Sequence, residues 1–508
     1  MPALATLDIK TLPRDVDALL GVIADLHSQY TTILDSLHQQ LATLRRMHFG
    51  ATSEKLVAQA ELFVQVASLP LPPDDKITVT YERKRRGRPA LPKDLPRERV
   101  DYDLSDSEKA EFDQLERIGE EVSETLEYTP AKLTVIEHVR AKYACRKHGE
   151  STVRTAFAQP SPLPKTNAGA GLLAQILVST FADHLPLHRQ ERIFKRHGVD
   201  LPRSTLCEWK LASGELLAVL RPALIAHTLS APRLHSDDTT MPLIVGGRGS
   251  TKTARLWGYL GAGARRNEAG DWVEHPASVV FEFTESRESM HPIKFLKHYE
   301  GYLQADAYSG YDALYRTGRI IEVGCWAHCR RKYFEIAKTQ NTPGLAAEAL
   351  AWIAKLYRIE AAIRDQPPDK KLDIRQAESV PVLWQFKAWL EAHYRTLLPR
   401  GALAQAFDYT LRNWRALTRY TDDGVLLPDN NRLESALRPI AMGRKAYLFT
   451  AAKRGGHVAA TMYSLIGTCK LNGIEPYAYL KDVLQRLPAH PVNRVAELLP
   501  FNWKPAVS

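Results

Sequence analysis

From residue 231 to about residue 325 the chain stops reading as helix and breaks into five short strand-like runs, and this change constrains the fold more than any other feature. The runs are RLHSDDTTMPLI from Arg233, ARLWGYLGA from Ala254, ASVVFEFTES from Ala277, GYLQADAY from Gly301 and RIIEVGCW from Arg319. Apolar residues alternate or cluster in them as strands require. A helical HPIKFLKHY separates the third run from the fourth, and a helical turn separates the fourth from the fifth. After Cys325 the pattern is almost wholly helical to about Arg486. Three strands, a helix, a strand, a helix and a strand predict an α/β sheet layered by helices. Residues 336–428 then read as a long helical insertion, 429–480 as the return to the core and 481–508 as a tail.

The first run carries two carboxylates where a strand should be apolar. Asp237 and Asp238 stand between Leu234 and the trio Met241, Leu243 and Ile244. Burying them costs several kcal/mol per ion, roughly, unless something pairs with them. Asp306 follows the fourth run. Glu434 lies one turn into a helix that Asp429 or Asn430 can cap, with Arg438 four residues on. Each acid has an ordinary explanation: a solvated strand end, a turn, or an i,i+4 pair worth about 0.3–0.5 kcal/mol. Taken together, acids at the ends of adjacent strands with a third from a helix can share divalent cations. Oxygen ligands suit Mg²⁺ (or Mn²⁺), and two ions roughly 3.5–4 Å apart can activate a nucleophile and steady the leaving oxygen of a phosphodiester.

The flanks point to a polyanion. The formal charge is +10 and the pI is near 9.2, which makes nucleic acid the first partner to consider. Within the N-terminal segment 1–69, residues 15–46 read as one helix with an apolar seam at Ile23, Leu26, Tyr30, Ile33 and Leu37, suited to a partner helix of a second copy or to packing on its own protein. Residues 70–100 are a proline-broken linker, where Arg83, Lys84, Arg85, Arg86 and Arg88 lead into a Gly-Arg-Pro that fits a DNA minor groove. Residues 101–155 form a small mixed module with a strand in KLTVIEHVRAKYAC; its Cys145-Arg-Lys-His148 is only half a zinc site. Residues 156–230 are helical, with a helix-turn-helix outline: a first helix to about His197, a turn at Gly198, and a second helix capped by Ser204 or Thr205, with Trp209 and Leu216 buried and Arg203 beside a phosphate. Two packed helices of a larger domain give the same outline. Arg330, Arg331 and Lys332 after Cys325, and Arg438, Arg444 and Lys445 after Glu434, are further phosphate contacts or solvated faces. Cys325, His328 and Cys329 lack an evident fourth ligand, so the cysteines read as buried packing. Five scattered cysteines exclude a disulfide framework. No run is apolar enough to span a bilayer, and the start lacks a signal peptide's pattern, so a cytoplasmic, nucleoid-associated protein is expected.

Several long, ordered segments resemble a known family. RRMHFGATSEKL, RGRPALPKDLPRERVDYDL, EYTPAKLTVIEHVRAKYACR, LHSDDT, YLQADAYSGYDALY, VGCWAHCRRKYFEI, DNNRLESALRPIAMGRKAYLF, SLIGTCKLNGIEPYAYLKDVL and LLPFNWKP are similar to the large transposase of the insertion sequence 66 family, from about Leu19 onward. The resemblance implies a DDE transposase with an RNase H-like core. Its metal-holding catalytic acids fall on Asp237, Asp306 and Glu434, with Asp238 at a neighbouring acidic position and the insertion before Glu434. It implies cleavage at the element's ends, transfer of the freed 3′-hydroxyl into target DNA, two Mg²⁺ (or Mn²⁺), a homodimer on terminal repeats, and small accessory proteins. The chain departs from the family upstream of Cys145, where YDLSDSEKAEFDQLERIGEE lacks the usual cysteine pair and His148 stands where a final cysteine is common; no structural zinc is expected. An RNase H-like nuclease or resolvase without strand transfer, and a non-catalytic DNA-binding regulator, remain alternatives.

Overall fold

The computed structural model describes residues 161–505 apart from short gaps at 245–249, 341 and 448–449, together with 133–138, a strand pair and a few isolated residues nearer the start. The seam of residues 15–46 falls almost wholly outside the described residues, as does the basic run Arg83–Arg88. The strand pair, β1 (Lys142–Lys147) and β2 (Glu150–Thr155), belongs mostly to a separate compact unit, Pro70–Val153. The strand expected across KLTVIEHVRAKYAC begins only at Lys142. Residues 133–138 are irregular, and Val135 and Ile136 are exposed, so the alternation there has no core to face.

Among the described residues of the main unit, four helices precede the sheet: α1 (Ala170–Phe181), α2 (Leu187–Arg196), α3 (Arg203–Leu217) and α4 (Arg221–Leu229). Gly198 turns the chain between α2 and α3 at φ +80°, a conformation glycine adopts without steric cost. The expected Ser204 or Thr205 cap is not used. Helix α3 starts earlier, after Pro202, and its Arg203 N–H is satisfied by Glu191 Oε1 at 3.1 Å. Leu206, Trp209 and Leu217 are buried, while Leu216 is half-buried.

The sheet then forms from β3 (Arg233–Ile244), β4 (Thr251–Arg266) and β5 (Trp272–Thr284), helix α5 (Met290–Phe295), β6 (Gly301–Gln304), the turn α6 (Asp312–Tyr315) and β7 (Ile320–Val323). Its order is β5-β4-β3-β6-β7. The first three strands are an antiparallel meander, and β6 and β7 add in parallel beside β3. One face packs on α5 and α6 through Leu234, Trp257, Tyr259, Tyr299 and Tyr311.

The helices that follow are α7 (Trp326–Ala337), α8 (Leu345–Ala362), α9 (Pro368–Ile374), α10 (Val380–Tyr394), α11 (Ala402–Arg412), α12 (Trp414–Thr418), α13 (Asn431–Tyr447), α14 (Lys453–Leu471) and α15 (Pro476–Arg486). Helix α14 lies along β5, an edge strand whose open N–H groups would otherwise invite another chain. It closes that edge with hydroxyls: Val279 N–H donates to Thr468 Oγ1 (3.1 Å) and Phe281 N–H to Ser464 Oγ (2.8 Å). Gly456 and Gly467 permit the approach, since a Cβ there would lie 2.5 Å from Phe283 and 2.7 Å from Val279.

Helices α7, α8, α10 and α11 enclose a core of their own around Trp326, Tyr333, Phe386 and Phe407. Arg375 joins it to the segment leading back to the sheet. Its Nε and Nη2 grip Glu360 at 2.7 Å each; its Nη1 donates to the Tyr420 and Asp423 carbonyls (2.9 and 3.0 Å), and Nη2 also to that of Leu426 (3.1 Å). All five guanidinium donors are thus used by a side chain that is 1% exposed. Removing one partner of such a pair costs about 3–5 kcal/mol. Arg375→Ala is therefore expected to lower the urea midpoint strongly, and Arg375→Lys to recover only part, because an ammonium cannot reproduce the fork. Equal midpoints for wild type and Arg375→Ala would contradict this.

Candidate active site

Strand alternation sends the two adjacent acids of β3 to opposite faces of the sheet. Asp238 meets protein cations: Arg255 Nη1 reaches Oδ2 and Arg287 Nε reaches Oδ1, both at 2.8 Å, around a carboxylate that is 2% exposed. Asp237 faces the other way. Its Oδ1 accepts the Asp238 N–H at 2.7 Å, and among the described residues no lysine or arginine pairs with it.

The other acids come to Asp237 by two routes. Strands β3 and β6 pair Arg233 with Tyr302, Leu234 with Leu303 and His235 with Gln304; carried two residues further, that register sets Asp306 beside Asp237. Glu434 arrives on the first turn of α13. Gly258, the cross-strand partner of Asp237, lets α13 sit close, because a Cβ there would lie 2.9 Å from Leu433 Cδ1. Asn430 fixes the helix start. Its Nδ2 donates to the Ser236 carbonyl (3.1 Å), so its Oδ1 faces His235 Nδ1 at 2.8 Å, and the buried His235 donates from that nitrogen. Burial holds His235 well below its usual range, hence neutral.

The carboxylates feel one another. Burial first, then the Asp306 carboxylate, with Glu434 adding to them, push Asp237 up to about 8. Burial also raises Asp306, against the pull of His328 and Arg287. His328 Nδ1 is 3.6 Å from Glu434 Oε1, and Arg331 Nη2 is 3.5 Å from Oε2. Burial lowers His328 despite that neighbour, so at neutral pH the contact is a neutral ring beside a carboxylate and not an ion pair.

The structure thus gathers Asp237, Asp306 and Glu434 and adds His328, Cys325 and Asn430 around them. Sequence reasoning set the first two of these aside and read Asn430 only as a cap. The signal was present in Cys-x-x-His and Asp-Asn-Asn, but their meeting depends on folding across the whole insertion. Cys329 does turn away, its sulfur 3.1 Å from Thr410 Oγ1. Of the expected phosphate contacts, Arg203, Arg331, Lys332 and Lys445 are exposed. Lys332 lies 4.4 Å from the Tyr409 ring and Arg330 5.9 Å from that of Phe334. Arg444 instead ties α13 to β3, donating to the Thr240 carbonyl at 2.6 Å.

A family model described as Transposase IS66 family matches residues 165–458, a span that holds all three acids. The chain belongs to the IS66 transposase family. The IS66 C-terminal element matches residues 464–501, and a model described as Transposase C of IS166 homeodomain matches 36–100. The uncharacterized proteins y4jD and y4hP of Sinorhizobium fredii are each 34% identical to this chain; the first alignment covers 97% of both chains, the second 98% of this one and 89% of the relative. The expectation of no structural zinc is corrected here: residues 111–147 match the zinc-finger binding domain of IS66 transposases. The missing upstream cysteine pair was too narrow a criterion for a module that the rest of the segment identifies. Among the described residues no helix is long and apolar enough to cross a membrane.

A raised carboxyl has a consequence for stability. The unfolded chain ionises Asp237 near the usual 3.8, the folded chain only near 8, so its ionisation opposes folding increasingly as pH rises between those values. Asp237→Asn removes that opposition. In divalent-free buffer its Tm is expected to exceed wild type by several degrees at pH 8, with the gap closing towards pH 4, as read by scanning calorimetry. Identical Tm values at pH 8 would show that the carboxylate is not held against its charge.

Proposed function

We propose that this IS66 transposase cuts DNA at the ends of an insertion sequence and joins the freed ends to target DNA, on an RNase H-like core with Asp237, Asp306 and Glu434 as its reactive-site acids. What carries the reading is the clustering of three carboxylates on one side of the sheet, with Asp237 pushed up to about 8 and no described lysine or arginine paired with it. The strand order, an antiparallel meander extended by two parallel strands, supports the core assignment.

The all-oxygen donor set of the three acids fits a hard divalent cation. When bound, such an ion polarises a phosphodiester oxygen and neutralises charge that develops at phosphorus. The chain's own part is positional. Asp237 and Asp306 are held by neighbouring strands, so their spacing is set by backbone. Glu434 is set by the Asn430 bridge. Arg331 and Lys332, on the helix beside Glu434, are placed to hold phosphates of the bound strand. In the first step a water oxygen bonds to phosphorus and the P–O3′ bond breaks, leaving a 3′-hydroxyl and a 5′-phosphate. In the second, that hydroxyl oxygen bonds to a target phosphorus, displaces the target's 3′ oxygen and gives up its proton. No covalent link to the protein is needed. The zinc-finger module, the basic linker and the α2–α3 pair contribute DNA binding.

The test is incubation of purified protein with end-sequence DNA and a divalent metal. Wild type should cleave and join, while Asp237→Asn, Asp306→Asn and Glu434→Gln should each lose at least about 10²-fold in rate and still bind DNA in a gel-shift measurement. Cleavage without joining would leave a nuclease, binding alone a regulator. Undiminished cleavage by Glu434→Gln would remove that residue from the chemistry.

A further inference from the structure

We infer that Cys325, His328 and Glu434 form a second, softer metal site that takes a borderline divalent ion such as Zn²⁺ or Co²⁺ and, by occupying Glu434, holds the acid cluster inactive. The inhibitory half of this inference rests on the catalytic reading above; the site itself does not.

The three ligand atoms lie within 4.8 Å of one another. His328 Nδ1 and Glu434 Oε1 are 3.6 Å apart, close to the roughly 3.3 Å that separates nitrogen and oxygen donors on tetrahedral zinc with bonds of about 2.0–2.1 Å. Cys325 caps α7 and His328 stands three residues on, so one helical turn presents both to the first turn of α13. His328 Nδ1 is buried and has no hydrogen-bond partner among the described residues, which leaves its lone pair available. Burial pushes the Cys325 thiol well above its usual range, so it is a thiol until a metal displaces its proton, but backbone donors at the sulfur work the other way. The Asn430 N–H points at Cys325 Sγ from 3.3 Å, and the His328 N–H converges on the same atom. Backbone donors of this kind support a ligating thiolate as hydrogen bonds around metal ligands generally do.

The donor chemistry separates this site from the acids. Sulfur, imidazole and one carboxylate select zinc-like ions, whereas an all-carboxylate set selects hard ones. Three protein ligands leave a fourth position for water. On binding, the metal replaces the Cys325 thiol proton, which leaves to solvent. Glu434 is common to both sets and cannot complete both at once, so occupation of the softer site leaves Asp237 and Asp306 without their third partner.

Co²⁺ titrated into the metal-stripped full chain tests the site. A thiolate-to-cobalt charge-transfer absorption is expected in wild type and in Cys145→Ser, which lacks the sulfur of the zinc-finger module. Built on the Cys145→Ser background, Cys325→Ser should abolish it, and His328→Gln should weaken cobalt binding at least about 10-fold. Zinc-edge X-ray absorption of Zn²⁺-loaded Cys145→Ser provides a check independent of Cys325 variants: one sulfur at about 2.3 Å supports the site, and nitrogen and oxygen ligands alone overturn it. A band retained in the Cys145→Ser/Cys325→Ser double variant, or lost in Cys145→Ser alone, also overturns it. Exclusion is read by spin resonance: Zn²⁺ added to Mn²⁺-loaded Cys145→Ser should release Mn²⁺, and retained Mn²⁺ overturns the inhibitory role. Normal cleavage by Glu434→Gln would instead fell the catalytic reading while leaving the cobalt result intact.

Discussion

The short segment Val425–Asn430 is bound to the fold one residue at a time, and the position of Glu434 depends on it. Arg233 donates to the Val425 carbonyl and Arg375 to that of Leu426. Gln304 donates to the Leu427 carbonyl, Trp326 N–H to that of Pro428, and Tyr357 OH to the Asp429 carboxylate. Asn430 ends the series on His235, Ser236 and Cys325. The partners come from β3, β6, α7, α8 and the kink after α9, so nearly every layer of the molecule has a hold on the entry to α13. A buried donor or acceptor stripped of its partner costs about 1–3 kcal/mol, and a slip of one residue here would strip several together.

That rigidity works against a strong repulsion. Asp237, Asp306 and Glu434 are like charges in a partly dry place, and Asp237 carries most of the strain as a displaced proton affinity. The neighbouring Asp238 shows what the protein does with a carboxylate it merely tolerates: two arginines neutralise it on the far face of the sheet. The contrast between adjacent residues of one strand leaves Asp237 the carboxylate with no described lysine or arginine paired to it, as the cation-holding role proposed above requires. Sites of this sort are held at some expense of stability.

Much of this was legible in the sequence. The run from Arg233 to Ile244 coincides with β3, and the strand–helix order of the sheet followed from periodicity alone. The three acids stood out as candidates, Asp237 and Asp238 because carboxylates in apolar runs are costly, but it was the family resemblance that singled out Asp237, Asp306 and Glu434. What escaped was what depends on distant partners. Nothing local distinguishes Asp238, which finds Arg255 and Arg287, from Asp237, which does not. Arg375 reads as an ordinary helical arginine until Glu360 and three carbonyls surround it. His328 lacked a companion because Glu434 lies beyond the whole insertion. The cap of α3 was misplaced because Glu191, on another helix, serves it.

The parallel register of β3 and β6 has a temporal side. Asp237 and Asp306 come together through strands that leave the ribosome close in time, whereas Glu434 follows only after α8 to α12 have emerged and packed. A chain released early, or clipped among those helices, holds two of the three acids and has no means of supplying the last. The three-acid cluster is thus completed only late in synthesis, and under the activity proposed above a chain that ends before α13 lacks its third acid.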